Sequence, residues 1–249
     1  MLRDTTLASL SKGFEELPLR ARLARMHEHI DGRMVFTTSF GLEDQAITDA
    51  IFVGDLAIEI VTLDTGRMFP ETYAVWAETE KRYGRRIAAY YARHDAVAAM
   101  VARQGINGFY DSVENRHACC HVRKVEPLGR ALAGAAAWIT GIRAQSSASR
   151  TAMTFFAFDR EHVLIKANPL LDWSRDRLVA HIAAHDIPYN TLHDSGFVSI
   201  GCQPCTRAIA PDEPERAGRW WWEQDLAKEC GLHVAADGCL VRSLAASDG

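Results

Sequence analysis

The chain has 249 residues, 48% of them hydrophobic, and a formal net charge of -4. That is enough apolar material for one sizeable core, and the slightly acidic balance excludes a global basic field of the kind that holds nucleic acid. The longest apolar run, Ala131 to Ile139, is far too short to span a bilayer, and Met1 to Arg20 has no signal-peptide pattern, so a soluble protein made and kept in the cytoplasm, with no membrane partner, is expected.

Residues 4–30 read as an amphipathic N-terminal helical region. Arg33–Thr38 reads as a buried strand that runs into Ser39-Phe40-Gly41, and Leu42–Phe52 has helical spacing of apolar residues. Leu56–Leu63 is a second strand, followed by Asp64-Thr65-Gly66 and a helix over Glu71–Tyr83. Arg86–Tyr91 is a third strand with a helix over Asp95–Arg103, and Ala137–Gly141 a fourth strand. Thr154–Phe158 and His162–Lys166 form a strand pair, and Ser174–His185 a helix with Ser174 as its N-cap. From Ile187 onward the chain is rich in Gly and Pro, with one tryptophan run. Strands alternating with helices predict an open, mostly parallel sheet of α/β class, whose ligand lies beyond the carboxyl ends of the strands. Those ends carry Ser39-Phe40-Gly41, Leu63-Asp64-Thr65-Gly66 and Gly141-Ile142-Arg143.

Six cysteines in a cytosolic protein of this size point to metal or redox chemistry rather than to disulfides. Cys202 and Cys205 form a C-x-x-C that supplies two thiolates from one turn, and Cys119-Cys120 supplies an adjacent pair. Adjacent side chains diverge, so the pair suits a multi-metal cluster better than one zinc ion, although spacing alone leaves zinc and iron–sulfur both open. On a helix, Arg123 and Lys124 lie on the faces of Cys119 and Cys120, where their charge would offset an anionic centre. Ser39 opens a strand-to-helix turn that attracts phosphate, yet neither the Walker nor the dinucleotide glycine pattern is present. Arg143, Arg150, Arg216 and Arg219 are candidates for binding a substrate with more than one anionic group. Cys230 closes a helical stretch before Gly231, at the negative end of the helix dipole, so a reactive thiolate there needs cations from elsewhere, with His233 a candidate.

Taken together, these segments resemble the assimilatory sulfonucleotide reductases, in their cluster-bearing adenylyl-sulfate branch. The similarity runs from about Val35 to His233, through S-F-G-L-E-D at Ser39–Asp44, L-D-T-G-R-x-F-P-E-T at Leu63–Thr72, C-C-x-x-R-K-V-E-P-L at Cys119–Leu128 and W-x-T-G-I-R at Trp138–Arg143. It continues through N-P-L at Asn168–Leu170, P-Y-N-x-L-H at Pro188–His193, S-I-G-C-x-P-C-T-R at Ser199–Arg207, E-R-x-G-R-W-W-W at Glu215–Trp222 and K-E-C-G-L-H at Lys228–His233. The resemblance implies a Rossmann-like sheet related to the adenine nucleotide alpha hydrolases, with a mobile C-terminal tail. It divides the chain into an N-terminal helical region (1–30), a nucleotide- and cluster-binding domain (31–220) and a C-terminal segment (221–249) carrying the nucleophile. It implies thioredoxin-dependent reduction of adenylyl sulfate to sulfite and AMP in sulfate assimilation, through an S-sulfocysteine on Cys230, with His233 beside it. It implies a 4Fe–4S cluster on Cys119, Cys120, Cys202 and Cys205. On the substrate side, Ser39, Arg216 and Arg219 would hold the phosphosulfate, Lys124, Arg150 and His233 would surround the sulfate end, and the backbone of Leu63 and Gly141 would meet the adenosine. His117 and Cys239 receive no role. A reductase that prefers, or also accepts, the 3′-phosphorylated substrate is the nearest alternative. More distant ones are an ATP-dependent thiolation enzyme and a non-catalytic redox sensor; oligomeric state stays open.

Overall fold

The computed structural model describes Leu7 and residues 9–147 and 150–223. Its centre is a six-stranded sheet in the order β3-β2-β1-β4-β6-β5. The strands are β1 (Met34–Thr38), β2 (Glu59–Asp64), β3 (Ala88–Tyr91), β4 (Ala137–Ile139), β5 (Phe156–Asp159) and β6 (Leu164–Ala167). All pairings are parallel except that of β5 with β6, which is an antiparallel hairpin. The helices are α1 (Leu19–His29), α2 (Leu42–Val53), α3 (Pro70–Tyr83), α4 (His94–Gln104), α5 (Val113–Cys120), α6 (Glu126–Leu132) and α7 (Arg175–Ala184).

The central strands are apolar on both faces, as parallel strands covered by helices must be. Met34 and Phe36 of β1 and Ala137 and Ile139 of β4 join the larger core with α1, α2 and α7, while Val35 and Trp138 face a smaller core with Leu128, Ala131 and Leu132 of α6. The period of two along each strand therefore splits neighbouring residues between two cores. Leu10, Phe14, Leu19, Leu23 and Met26 belong to the larger core, so the N-terminal region packs on the sheet.

Several boundaries differ from the sequence expectation. The N-terminal region is not one continuous helix: Gly13 takes a left-handed φ of 62°, and α1 begins only after Pro18. Proline fixes its own φ and supplies no N–H, so it suits a helix entry better than an interior. The strands of the β5–β6 hairpin start two residues later and end one residue later than expected, and Lys166 of β6 is wholly buried with its ammonium 4.8 Å from the Trp138 ring centre. Ser174 caps α7 as expected, accepting from the Arg177 N–H.

In this strand order the chain runs from β1 outward through β2 to β3, then returns to place β4 on the other side of β1. The crevice at such a reversal, beyond the carboxyl ends of the strands, is where open α/β sheets hold ligands.

Candidate active site

At the end of β1, Phe40 is fully buried, stacks on Trp76 at 5.4 Å, and carries a φ of 61°. A left-handed conformation costs a non-glycine residue on the order of 1–2 kcal/mol, and the buried ring holds it there. The turn brings Ser39 over the first turn of α2. The Ser39 N–H and hydroxyl both donate to Asp44 Oδ2, at 2.6 and 2.7 Å. The turn was expected to offer its donors to a phosphate; instead the carboxylate of the chain itself occupies them. Burial, opposed by the N–H and hydroxyl of Ser39, pushes the Asp44 carboxyl up to about 6. Once protonated, Asp44 can donate to Ser39 Oγ and release the serine hydroxyl toward a ligand.

The end of β4 packs directly on this turn. A Cβ on Gly141 would lie 2.4 Å from Asp44 Oδ1 and 3.0 Å from Glu43 Cβ, so the approach requires glycine. Arg143, read from sequence as a possible anion binder, is neutralised from two sides: its Nε donates to Glu43 and its Nη2 to Glu215, both at 2.7 Å. It clamps α2 to the segment that carries Arg216.

These turns enclose a cavity of about 230 Å³ whose lining includes Ser39, Leu63, Lys124, Gly141, Arg150, Arg216 and Arg219. Apart from Arg143, the candidate substrate residues within the described range thus meet in one space. Arg219 is buried, its guanidinium lies 4.7 Å from the centre of the Trp220 ring, and its Nη1 donates to the Ile200 carbonyl at 3.2 Å. Its Nε has no partner among the described residues. A buried guanidinium with free donor capacity is an anion receptor in waiting. Gly201 makes room for it, since a Cβ there would lie 2.2 Å from Arg219 Nη2. The same lining contains residues given no role from sequence: Asp44, Glu43, Thr65, His193 and Glu215. The Glu43-Asp44 and His193 positions lay inside matched motifs, but a sequence gives no sign of which matched polar residue faces a cavity.

A second, smaller pocket of about 20 Å³ adjoins the first and is lined by all four candidate ligands, Cys119, Cys120, Cys202 and Cys205. Cys119 and Cys120 end α5, and a π turn over His121–Val125 follows rather than further α-helix. It directs Arg123 inward, where Nη1 donates to the Thr65 carbonyl at 2.5 Å. Cys202 Sγ lies 3.3 Å from the Thr65 hydroxyl. Burial raises the Cys202 thiol, but Lys124, the Thr65 hydroxyl, Arg219 and Arg123 outweigh it and hold the thiol below its usual range. Burial pushes Cys205 up to about 12 and also raises Cys119, against the pull of Arg123. Four thiols ringed by Arg67, Arg116, Arg123, Lys124 and Arg219 suit an anionic, thiolate-bound centre. No three His, Cys, Asp or Glu side chains among the described residues converge as a single-ion site. Lys124, Cys202, Arg219 and Trp220 line both pockets, so the thiol cluster and the larger cavity share a wall. Cys230 and His233 lie outside the described residues, as does Cys239.

Residues 33–208 match the phosphoadenosine phosphosulfate reductase domain. The chain belongs to this family, in its adenosine 5′-phosphosulfate reductase branch, and is an oxidoreductase. It is 56% identical over 227 residues to an adenosine 5′-phosphosulfate reductase of Sinorhizobium fredii, covering 91% of this chain and 90% of the relative. An enzyme of the same name from Allochromatium vinosum is 52% identical across 80% of this chain and 78% of its own. Among solved structures, a phosphoadenylyl-sulfate reductase from Candida auris in complex with phosphate superposes with a TM-score of 0.68 at 25% identity, over 81% of this chain and 95% of that one. Yeast FAD synthetase shares the fold, with a TM-score of 0.51 at 18% identity over 82% of this chain and 68% of that one.

Proposed function

We propose that the chain reduces adenylyl sulfate to sulfite and AMP, with thioredoxin or a similar dithiol protein as reductant. The observation that carries the reading is the wall shared by a cation-lined cavity at the strand ends and a pocket of four thiols. The substrate class follows from the relatives named adenosine 5′-phosphosulfate reductase. Ser39, Arg216 and Arg219 would hold the phosphosulfate, Lys124, Arg150 and His233 would surround the sulfate end, and the backbone of Leu63 and Gly141 would flank the adenosine. The Cys230 thiolate attacks the sulfuryl sulfur. The sulfur–oxygen bond to the phosphate breaks, AMP leaves with the electron pair, and an S-sulfocysteine remains. His233 would stand beside this thiol. A dithiol then attacks Cys230 Sγ, sulfite departs, and the second thiol of the partner closes its own disulfide. Cys119, Cys120, Cys202 and Cys205 would hold a 4Fe–4S cluster, which when bound supplies a rigid anionic centre beside the sulfate end. The C-terminal segment, 221–249, would carry the nucleophile to the cavity formed by 31–220, and the reduced thiols this requires fit a cytoplasmic enzyme.

The test is a sulfite-release assay with adenylyl sulfate and with its 3′-phosphorylated form, each with thioredoxin, on wild type and Cys230→Ser. We expect a higher kcat/KM for adenylyl sulfate and no sulfite from Cys230→Ser. Label from the substrate's sulfate should stay on the wild-type chain until the dithiol is added. Full turnover by Cys230→Ser would overturn the mechanism, and a clear preference for the phosphorylated form would overturn the substrate assignment.

A further inference from the structure

His193 lies in the turn Thr191–Ser195 and in the wall of the larger cavity, but not in that of the thiol pocket. Its Nδ1 is 2.7 Å from the Phe197 carbonyl oxygen. A carbonyl only accepts, so Nδ1 carries the proton of the ring. Burial holds the imidazole below its usual pKa and therefore neutral, which leaves a lone pair on Nε2. That Nε2 is buried and has no partner among the described residues. Buried polar atoms in folded proteins are almost always paired, so an orphaned acceptor on a residue that lines a cavity points to a donor that arrives with a ligand.

We propose that His193 Nε2 accepts a hydrogen bond from a donor on the nucleoside part of the bound nucleotide, and that it is thereby a specificity residue of the cavity. The inference rests on the nucleotide reading above. The phosphosulfate cannot supply the partner, because at neutral pH its oxygens are acceptors and would face the lone pair unfavourably. The nucleoside has three donor sources: the 2′-hydroxyl, the 3′-hydroxyl and the amine of the base. A site built to accept from one group discriminates against an analogue that lacks it, since the acceptor is then left buried and unpaired.

The experiment measures equilibrium affinity for AMP and for its 2′-deoxy, 3′-deoxy and 6-deamino analogues, on wild type, His193→Phe and His193→Gln, without reductant. In wild type one analogue should bind roughly tenfold more weakly than AMP. In His193→Phe, AMP itself should weaken by about the same factor and that one analogue should lose nothing further, while His193→Gln, which keeps an acceptor, should recover part of the discrimination. The identity of the analogue names the donor. A second readout needs no variant: in protein labelled with 15N-histidine, the Nε2 resonance of His193 should move upfield when AMP binds and stay in place with inorganic phosphate. If His193→Phe binds AMP as tightly as wild type, or if all three analogue penalties persist in it unchanged, or if the Nε2 resonance does not move with AMP, the assignment is overturned and the nucleotide reading stands. If wild type binds neither AMP nor adenylyl sulfate, both fall together.

Discussion

Ser39, Asp44 and Gly141 form a unit in which each residue is explained by the next. Ser39 is held by a carboxylate, the carboxylate is approached closely by the turn after β4, and that turn carries at Gly141 the one residue type that fits against it. In Gly141→Ala the methyl would need about an ångström of room that the turn does not have. We expect a loss of roughly 1–3 kcal/mol of stability, the usual cost of overpacking, read as a fall in the urea midpoint. Asp44 sets a pH dependence. Its carboxyl is raised in the folded state to about 6 from an ordinary 3.8. The folded chain therefore holds this proton more tightly than the unfolded chain. The stabilisation is complete below the ordinary value and is lost as pH rises through about 6. The loss across that window is on the order of 3 kcal/mol, from about 1.4 kcal/mol per unit of pKa. Unfolding at pH 4.5 and pH 7 should show wild type gaining on Asp44→Asn at the lower pH; an equal difference at both would contradict the buried carboxyl. None of this was visible in Ser39–Asp44 as a motif, because burial depends on Gly141, far along the chain.

Among the elements, α5 and the chain from Gly201 to Glu223 form a second unit. Arg116 of α5 donates to Glu223 through Nε at 2.5 Å and Nη2 at 3.0 Å, both side chains are buried, and the guanidinium lies 4.7 Å from the centre of the Trp220 ring. This pair ties the last described residue to the helix that presents Cys119 and Cys120. Removing one charge from a buried pair strands the other, so Glu223→Gln should cost about 3–5 kcal/mol, while Arg116→Met with Glu223→Met should cost less than Glu223→Gln alone. Denaturant titration of the three proteins checks this order. The elements most legible from sequence were those whose signals are local: the strands around residues 34–38 and 59–64, α3 after Pro70, and α7 with its serine cap. Less legible were the break at Gly13 and the π turn after Cys120. A glycine inside an amphipathic pattern does not declare whether it will be tolerated, and the wider turn goes with a contact between Arg123 and the Thr65 carbonyl that no local pattern encodes.

On the scale of the whole molecule, the cavity wall proposed to take the phosphosulfate includes Ser39, Lys124, Arg216 and Arg219, which the fold gathers from three separate stretches of chain. Arg216→Ala and Arg219→Ala should each weaken adenylyl sulfate binding by about 1.5–3 kcal/mol, the range of a hydrogen bond to a charged group. Added salt should narrow the gap to wild type. Equilibrium binding at two ionic strengths tests both statements, and unchanged affinity in both variants would leave the arginines a purely structural role. By itself the sequence determined the α/β class, the strands whose ends carry the site, and the residue types of the chemistry, because apolar periodicity, turn residues and paired cysteines are written locally. Only the tertiary structure decided that β4 returns beside β1 to make the crevice, that Arg143 is held between the carboxylates of Glu43 and Glu215 while Arg219 donates to the Ile200 carbonyl, and that His193 Nε2 has no partner among the described residues. Those properties are set by burial and by who stands opposite whom, and a local pattern does not encode contacts such as those of Arg143 with Glu43 and Glu215.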